Sequence, residues 1–226
     1  MFIASVEILA LRGEFEDRGL FSWRVLRTLS RATLSVGSGG PRQFISHPFF
    51  VPAVTGARAL AALVLIFFSN NYALSTACVF AIIVTSIVMY WRAPIGMDGS
   101  DQMSLIAFVG VAIAKLFPED VHVAKASLWF LAIQGCLSYF VAGVAKVVSP
   151  VWRSGEAVRR IFGTRTYGSR RSASLVAGRD GVCAALAWLV MLFECSFPLA
   201  LAFGIVGFAV FAAMGILFHI TNALIM

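Results

Sequence analysis

Charge is what this sequence has least of. Only 13% of its 226 residues are Asp, Glu, Lys or Arg, while 60% are hydrophobic; a soluble domain carries about 25% charged residues. The shortage excludes an ordinary soluble domain, because a chain of this size still needs a polar surface. The short alternating segments of a transmembrane β-barrel are missing too. Cysteine is sparse. Cys78, Cys136, Cys183 and Cys195 all lie in apolar runs without a CxxC pair, and read as small buried hydrophobes rather than zinc ligands or disulfide partners. His219 has no second His or carboxylate at ligand spacing, which speaks against a metal site there. None of the three Asn opens an N-x-S/T sequon. A cleavable signal peptide is also missing: the stretch Met1 to Leu11 is short, contains Glu7 and runs into GEFEDRG.

What is present is solid apolar sequence such as ALAALVLIFF and CAALAWLVMLF, with a mean hydropathy of +0.88. Several runs approach the ~20 residues that span a bilayer as helix. The expected fold is therefore an all-α polytopic transmembrane bundle of about six helices. The spans are expected at residues 52–69, 72–91, 102–117, 123–148 and 181–197, with a sixth from about Gly204 to the last residue, Met226. Residues 1–48 form a separate cytoplasmic segment. Within it, Phe15 to Leu34 interleaves Arg18, Arg24, Arg27 and Arg31 with Phe21, Trp23, Leu26 and Leu29, the pattern either of a basic amphipathic helix at a membrane surface or of a cytoplasmic helix packing on the loops. SVGSGGP at 35–41 reads as a linker. Residues 49–226 form the membrane domain. Its last apolar run stops without a polar tail, as if the natural chain continued.

The net charge of +7 does not point to nucleic acid, because the arginines cluster beside apolar runs. Six precede the first span and seven lie between Ser149 and Asp180, while the SNNY turn has none. By the positive-inside rule the amino terminus and the arginine loop are cytoplasmic.

Ionisable residues inside spans cost about 2.5–3.5 kcal/mol at mid-membrane, so each is a candidate site residue. Lys146 ends the fourth span and shares a helical face with Tyr139, Ala142 and Gly143. It reads either as a desolvated base or as a snorkelling anchor. His219 and Asn222 lie three apart in the last span, above Gly215, and suit either a proton relay or an interhelical hydrogen bond. Glu194, in the fifth span, needs a partner, and Arg58 in the first is a candidate for a structural pair. Trp152 reads as an interfacial anchor. Asp98 and Asp101 flank the start of the third span, where Ser100 and Asp101 suit capping. The expected pocket brings Tyr139, Lys146, His219 and Asn222 together where the fourth and sixth spans pack, with Gly135, Ala142, Gly143 and Gly215 permitting close approach.

The stretch YFVAGVAKVVSPVWRSGEAV, from Tyr139 to Val158, resembles a segment of the vitamin K-dependent γ-carboxylase and its bacterial relatives, the horizontally transferred transmembrane (HTTM) domain family. That family includes proteins similar to sporulation-delaying protein B. FHITN (Phe218 to Asn222) is similar to its late-helix motif, and DGSDQM, Arg58 and the Glu194–Pro198 spacing fit weaker family habits. The resemblance spans roughly residues 48–226. It implies a bacterial inner-membrane protein in which Lys146 falls on the base that deprotonates a quinol cofactor and His219 on a histidine of the same site. Three features depart from the carboxylase. Ala145 replaces the first of its paired lysines, a large propeptide-binding domain is missing, and the charge count puts Lys146 near the cytoplasm. Two functions are thereby implied. One is a membrane-embedded enzyme acting with a lipid-soluble, quinone-like cofactor. The other is a non-catalytic factor for maturation or export of a small secreted peptide.

Overall fold

The computed structural model describes residues 1–29, 45–93, 99–164, 168–169, 173–174 and 176–225. Among these the chain is helical and without strands. Five helices are long and apolar enough to cross a membrane: Phe50–Phe67, Tyr72–Arg92, Gly99–Leu116, Val121–Val148 and Gly204–Leu224. The protein is thus an all-α, multi-pass helical membrane protein. The chain divides into two compact units, Met1–Leu131 and Ala132–Met226.

The first unit opens with α1 (Phe2–Ala10), a 3-10 turn (Arg12–Phe15) and α2 (Trp23–Leu29). The basic amphipathic helix expected over 15–34 is not continuous. Residues 16–22 form turns and bends, only α2 is helical, and residues 30–34 lie outside the described residues, as does the 35–41 linker. The break has a local cause: Phe21 N–H donates to the Glu14 carbonyl and Leu20 N–H to the Glu14 carboxylate, so the chain folds back on itself. A side chain at Gly19 would overlap the Glu14 backbone, at 2.2 Å from its carbonyl oxygen.

α3 (Phe50–Phe67) and α4 (Tyr72–Arg92) form an antiparallel pair. Asn71 caps α4 by accepting from Leu74 N–H at 3.0 Å. Two clusters fix the register. Phe50 and Val51 pack with Met89, and Ala61 and Ala62 with Cys78 and Ile82. α1 lies along α3: Ile8 joins the Phe50 cluster and Met1 the Ala61 cluster. A helix read as cytoplasmic thus runs antiparallel beside a membrane span. α5 (Gly99–Leu116) packs on α4, and Ser100 and Asp101 lie inside its first turn rather than before it. Asp98 lies outside the described residues. α6 (Val121–Val148) begins at Asp120, whose Oδ1 accepts from His122 and Val123 N–H.

Among the described residues, the second unit contains the rest of α6 and five helices with assigned bounds. These are α7 (Pro150–Arg153), α8 (Glu156–Gly163), α9 (Asp180–Ser196), α10 (Leu199–Ala202) and α11 (Gly204–Ile225). α9 has 17 residues and covers about 26 Å, a little under the ~30 Å hydrocarbon core. Phe197 and Pro198 nevertheless stay in the right-handed helical region, so α10 extends it. Pro198 interrupts the ladder because it has no N–H to donate. Gly204, at φ +60°, then turns the chain into α11. The core of this unit is Val158, Val176, Cys183, Ala187 and Met191, with Val147, Trp152 and Phe162 packed against it.

Candidate functional site in the second unit

The site is assembled on two glycines. A side chain at Gly143 would come within 2.8 Å of Cys195 N and 2.9 Å of Glu194 Cβ. Only glycine lets α6 meet α9 this closely, and one turn beyond it Lys146 is carried to Glu194. Gly155, at φ +80°, opens α8 in the left-handed region, and a Cβ there would lie 2.3 Å from Ala184 N. It seats the corner between α7 and α8 against α9, placing Trp152 beside the lysine.

Lys146 Nζ donates to Glu194 Oε1 at 2.7 Å and to Oε2 at 2.6 Å. The Glu194 side chain is 7% exposed and that of Lys146 20%. The Trp152 ring centroid lies 5.2 Å from the same Nζ, so the ammonium meets a carboxylate and an aromatic face together. The partner of Glu194 within this unit is thus Lys146, where the sequence offers Arg58 as the candidate. Arg58 belongs to the first unit, where its Nε donates to Ser5 Oγ. Lys146 takes the carboxylate because the Gly143 contact puts it at that level of α9.

A second polar pair stands beside the first. Tyr139 Oη and His219 Nε2 are 2.7 Å apart. The Tyr139 ring stacks on Phe197 at 4.0 Å between centroids, with 13° between planes. Phe193 meets Tyr139 edge-on at 5.7 Å, and Phe218 lies 5.5 Å from Phe193. Phe193, Glu194 and Phe197 are successive residues of one face of the chain through α9, so the carboxylate is flanked by the rings that hold Tyr139. His219 is exposed on α11.

The structure therefore brings Lys146, Glu194 and Trp152 into one group and Tyr139 and His219 into an adjoining one. His219 meets Tyr139, not Lys146. The tyrosine and the lysine are two turns apart on α6, about 10 Å along the axis. Gly215 lines the junction, its would-be Cβ 3.8 Å from Tyr139 Oη and from Phe197. Gly135 faces open space and brings no helix close. Asn222 is half-buried one turn beyond His219 and enters neither pair. The aromatic frame of Phe193 and Phe197 escaped the sequence reading. Their signal was a four-residue spacing around Glu194. No group of three or more His, Cys, Asp or Glu that could hold a metal ion occurs among the described residues.

Comparison of the chain with protein-family models, with characterised proteins and with solved structures finds no match.

Proposed function

We propose that this chain is a multi-pass protein of the bacterial inner membrane, amino terminus in the cytoplasm. We read it as HTTM- and γ-carboxylase-like, with the second-unit site acting on a lipid-soluble, quinone-like ring. The observation that carries this reading is the junction of two proton-bearing pairs, Lys146–Glu194 and Tyr139–His219, inside a frame of aromatic rings. Flat aromatic faces suit a planar ring, and paired proton carriers suit its hydroxyl groups. The residues of the YFVAGVAKVVSPVWRSGEAV stretch that carry the resemblance each have a physical task here. Tyr139 bonds the histidine, Gly143 and Gly155 set helix distances, Lys146 holds Glu194, and Trp152 covers the lysine.

A bound quinol would supply an acidic hydroxyl and two electrons. Lys146 accepts a proton only as the neutral amine. Glu194, which accepts from Lys146 Nζ through both carboxylate oxygens, is the group to which that nitrogen's proton can pass. A proton gained by Lys146 after that transfer would leave the pair with one net positive charge. His219 and Tyr139 exchange a proton across one hydrogen bond and lead from the interior to the exposed face of α11.

Tryptophan fluorescence tests this. A short-chain naphthoquinone titrated into the purified protein should quench emission saturably, and Trp152→Phe should remove most of that response. Unsaturable quenching that Trp152→Phe leaves unchanged would contradict the reading. The completed Lys146–Glu194 pair also suits a purely structural role, and with it the alternative of a non-catalytic factor serving a small secreted peptide. In that case Lys146→Arg, which retains the charge but cannot act as a base, retains function.

A further inference from the structure

The first unit contains a second, unrelated cationic centre. Arg58 stands at the middle of α3, and its side chain is fully enclosed. Its Nε donates to Ser5 Oγ at 2.8 Å, and Ser5 is equally enclosed and donates to Met1 O. Nη1 and Nη2 have no hydrogen-bond partner among the described residues. The nearby charge that acts on the guanidinium is that of Asp101 in the first turn of α5. A buried guanidinium edge bearing two unused donors is among the least favourable arrangements a protein holds, and more so in an apolar helix.

The helix register adds a third donor. Val51 pairs with Met89 and Ala61 with Cys78, so the α-carbon of Arg58 lies opposite residues 81–82 of α4. A helical side chain leans toward its own amino terminus, which carries the guanidinium about one turn, to the level of Ser86. Ser86 is buried, and its Oγ also has no partner among the described residues. Thr55, on the same stretch of α3, is spoken for by the Val51 carbonyl.

We propose that Arg58 Nη1 and Nη2, with Ser86 Oγ, form a binding site for the carboxylate of an apolar molecule, enclosed by α1, α3 and α4. A guanidinium edge matches a planar carboxylate with two parallel hydrogen bonds. The walls near this level, among them Val51, Ile83 and Met89, are apolar and buried, so the group carried in must be attached to an apolar chain. Ser5 holds the guanidinium by Nε and leaves the two-pronged edge presented. Because the site is fully enclosed, the molecule enters only when α1 parts from α3.

The test uses the full chain in phosphatidylcholine nanodiscs incubated with dodecanoate, dodecyl phosphate or dodecanol. Dodecanoate should raise the melting temperature saturably. Dodecanol, with the same chain and no charge, should not. Arg58→Leu should abolish the shift, and Ser86→Ala should weaken apparent affinity about tenfold, the scale of one hydrogen bond to a charged group. Should Arg58→Leu fail to fold, Arg58→Lys serves, losing the two-pronged geometry and most of the shift. A stronger response to dodecyl phosphate than to dodecanoate would overturn the carboxylate assignment. Equal shifts with dodecanol, equal shifts in the Arg58 variant, or no shift at all would overturn the site.

Discussion

Lys146 and Glu194 are joined through both carboxylate oxygens, at 2.7 and 2.6 Å, across a helix contact that only a glycine permits. Removing one partner strands the other. Breaking a buried pair costs about 3–5 kcal/mol, and the partial exposure of Lys146 reduces this to about 2 kcal/mol. Lys146→Met and Glu194→Gln should each lower stability to denaturant in detergent by about that amount, and the double variant by clearly less than the sum. Additive losses would show that the two side chains do not act as a pair.

The three glycines on or beside α6 should behave differently. Gly143→Ala should cost about 1–3 kcal/mol through overpacking against Cys195. Gly155→Ala adds left-handed strain to a closer clash with Ala184 and should cost more. Gly135→Ala meets nothing and should be neutral or slightly stabilising. Thermal melts of the three variants check the order; similar melting for all would contradict the close helix approach.

Outside the membrane, Glu156 accepts from Arg160 and Arg159, which hold its carboxyl below the usual range. A carboxyl lowered in the folded state stabilises fully above its unfolded pKa, about 4.3. That contribution disappears as pH falls through the lower folded value. The melting temperature of the parent chain should therefore fall more on acidification below that range than that of Glu156→Gln. Parallel pH profiles would remove this contribution.

The proposed orientation rests on the arginine distribution. In a background without accessible cysteine, Ser169→Cys should label from the cytoplasmic side and Asn71→Cys from outside. The reverse pattern would invert the topology and place Lys146 at the opposite surface.

Run length and composition made the helices legible, because a bilayer tolerates little else. The starts expected at 72 and 181 fall within one residue of α4 and α9, and that at 123 two residues inside α6. Tyr139, Lys146, Glu194 and His219 were legible as costly polar groups in apolar helices. Their pairing was not, since it depends on the level at which α6 and α9 meet, which Gly143 decides in three dimensions. Charge alone makes Arg58 a candidate partner for Glu194, and charge carries no information on helix level. Likewise α1 beside α3, and Ser5 as the acceptor for Arg58, depend on a contact between residues 53 positions apart, which no periodicity encodes.

The most direct measurement is lipid extraction from the purified chain, followed by mass spectrometry. A quinone should co-purify in near-equal amount with the protein. It should be lost from Phe197→Ala and from Tyr139→Ala, which dismantle the aromatic frame, and kept in Lys146→Met, which removes the base and leaves the rings. A quinone content no greater than that of an unrelated membrane protein from the same cells would contradict the account.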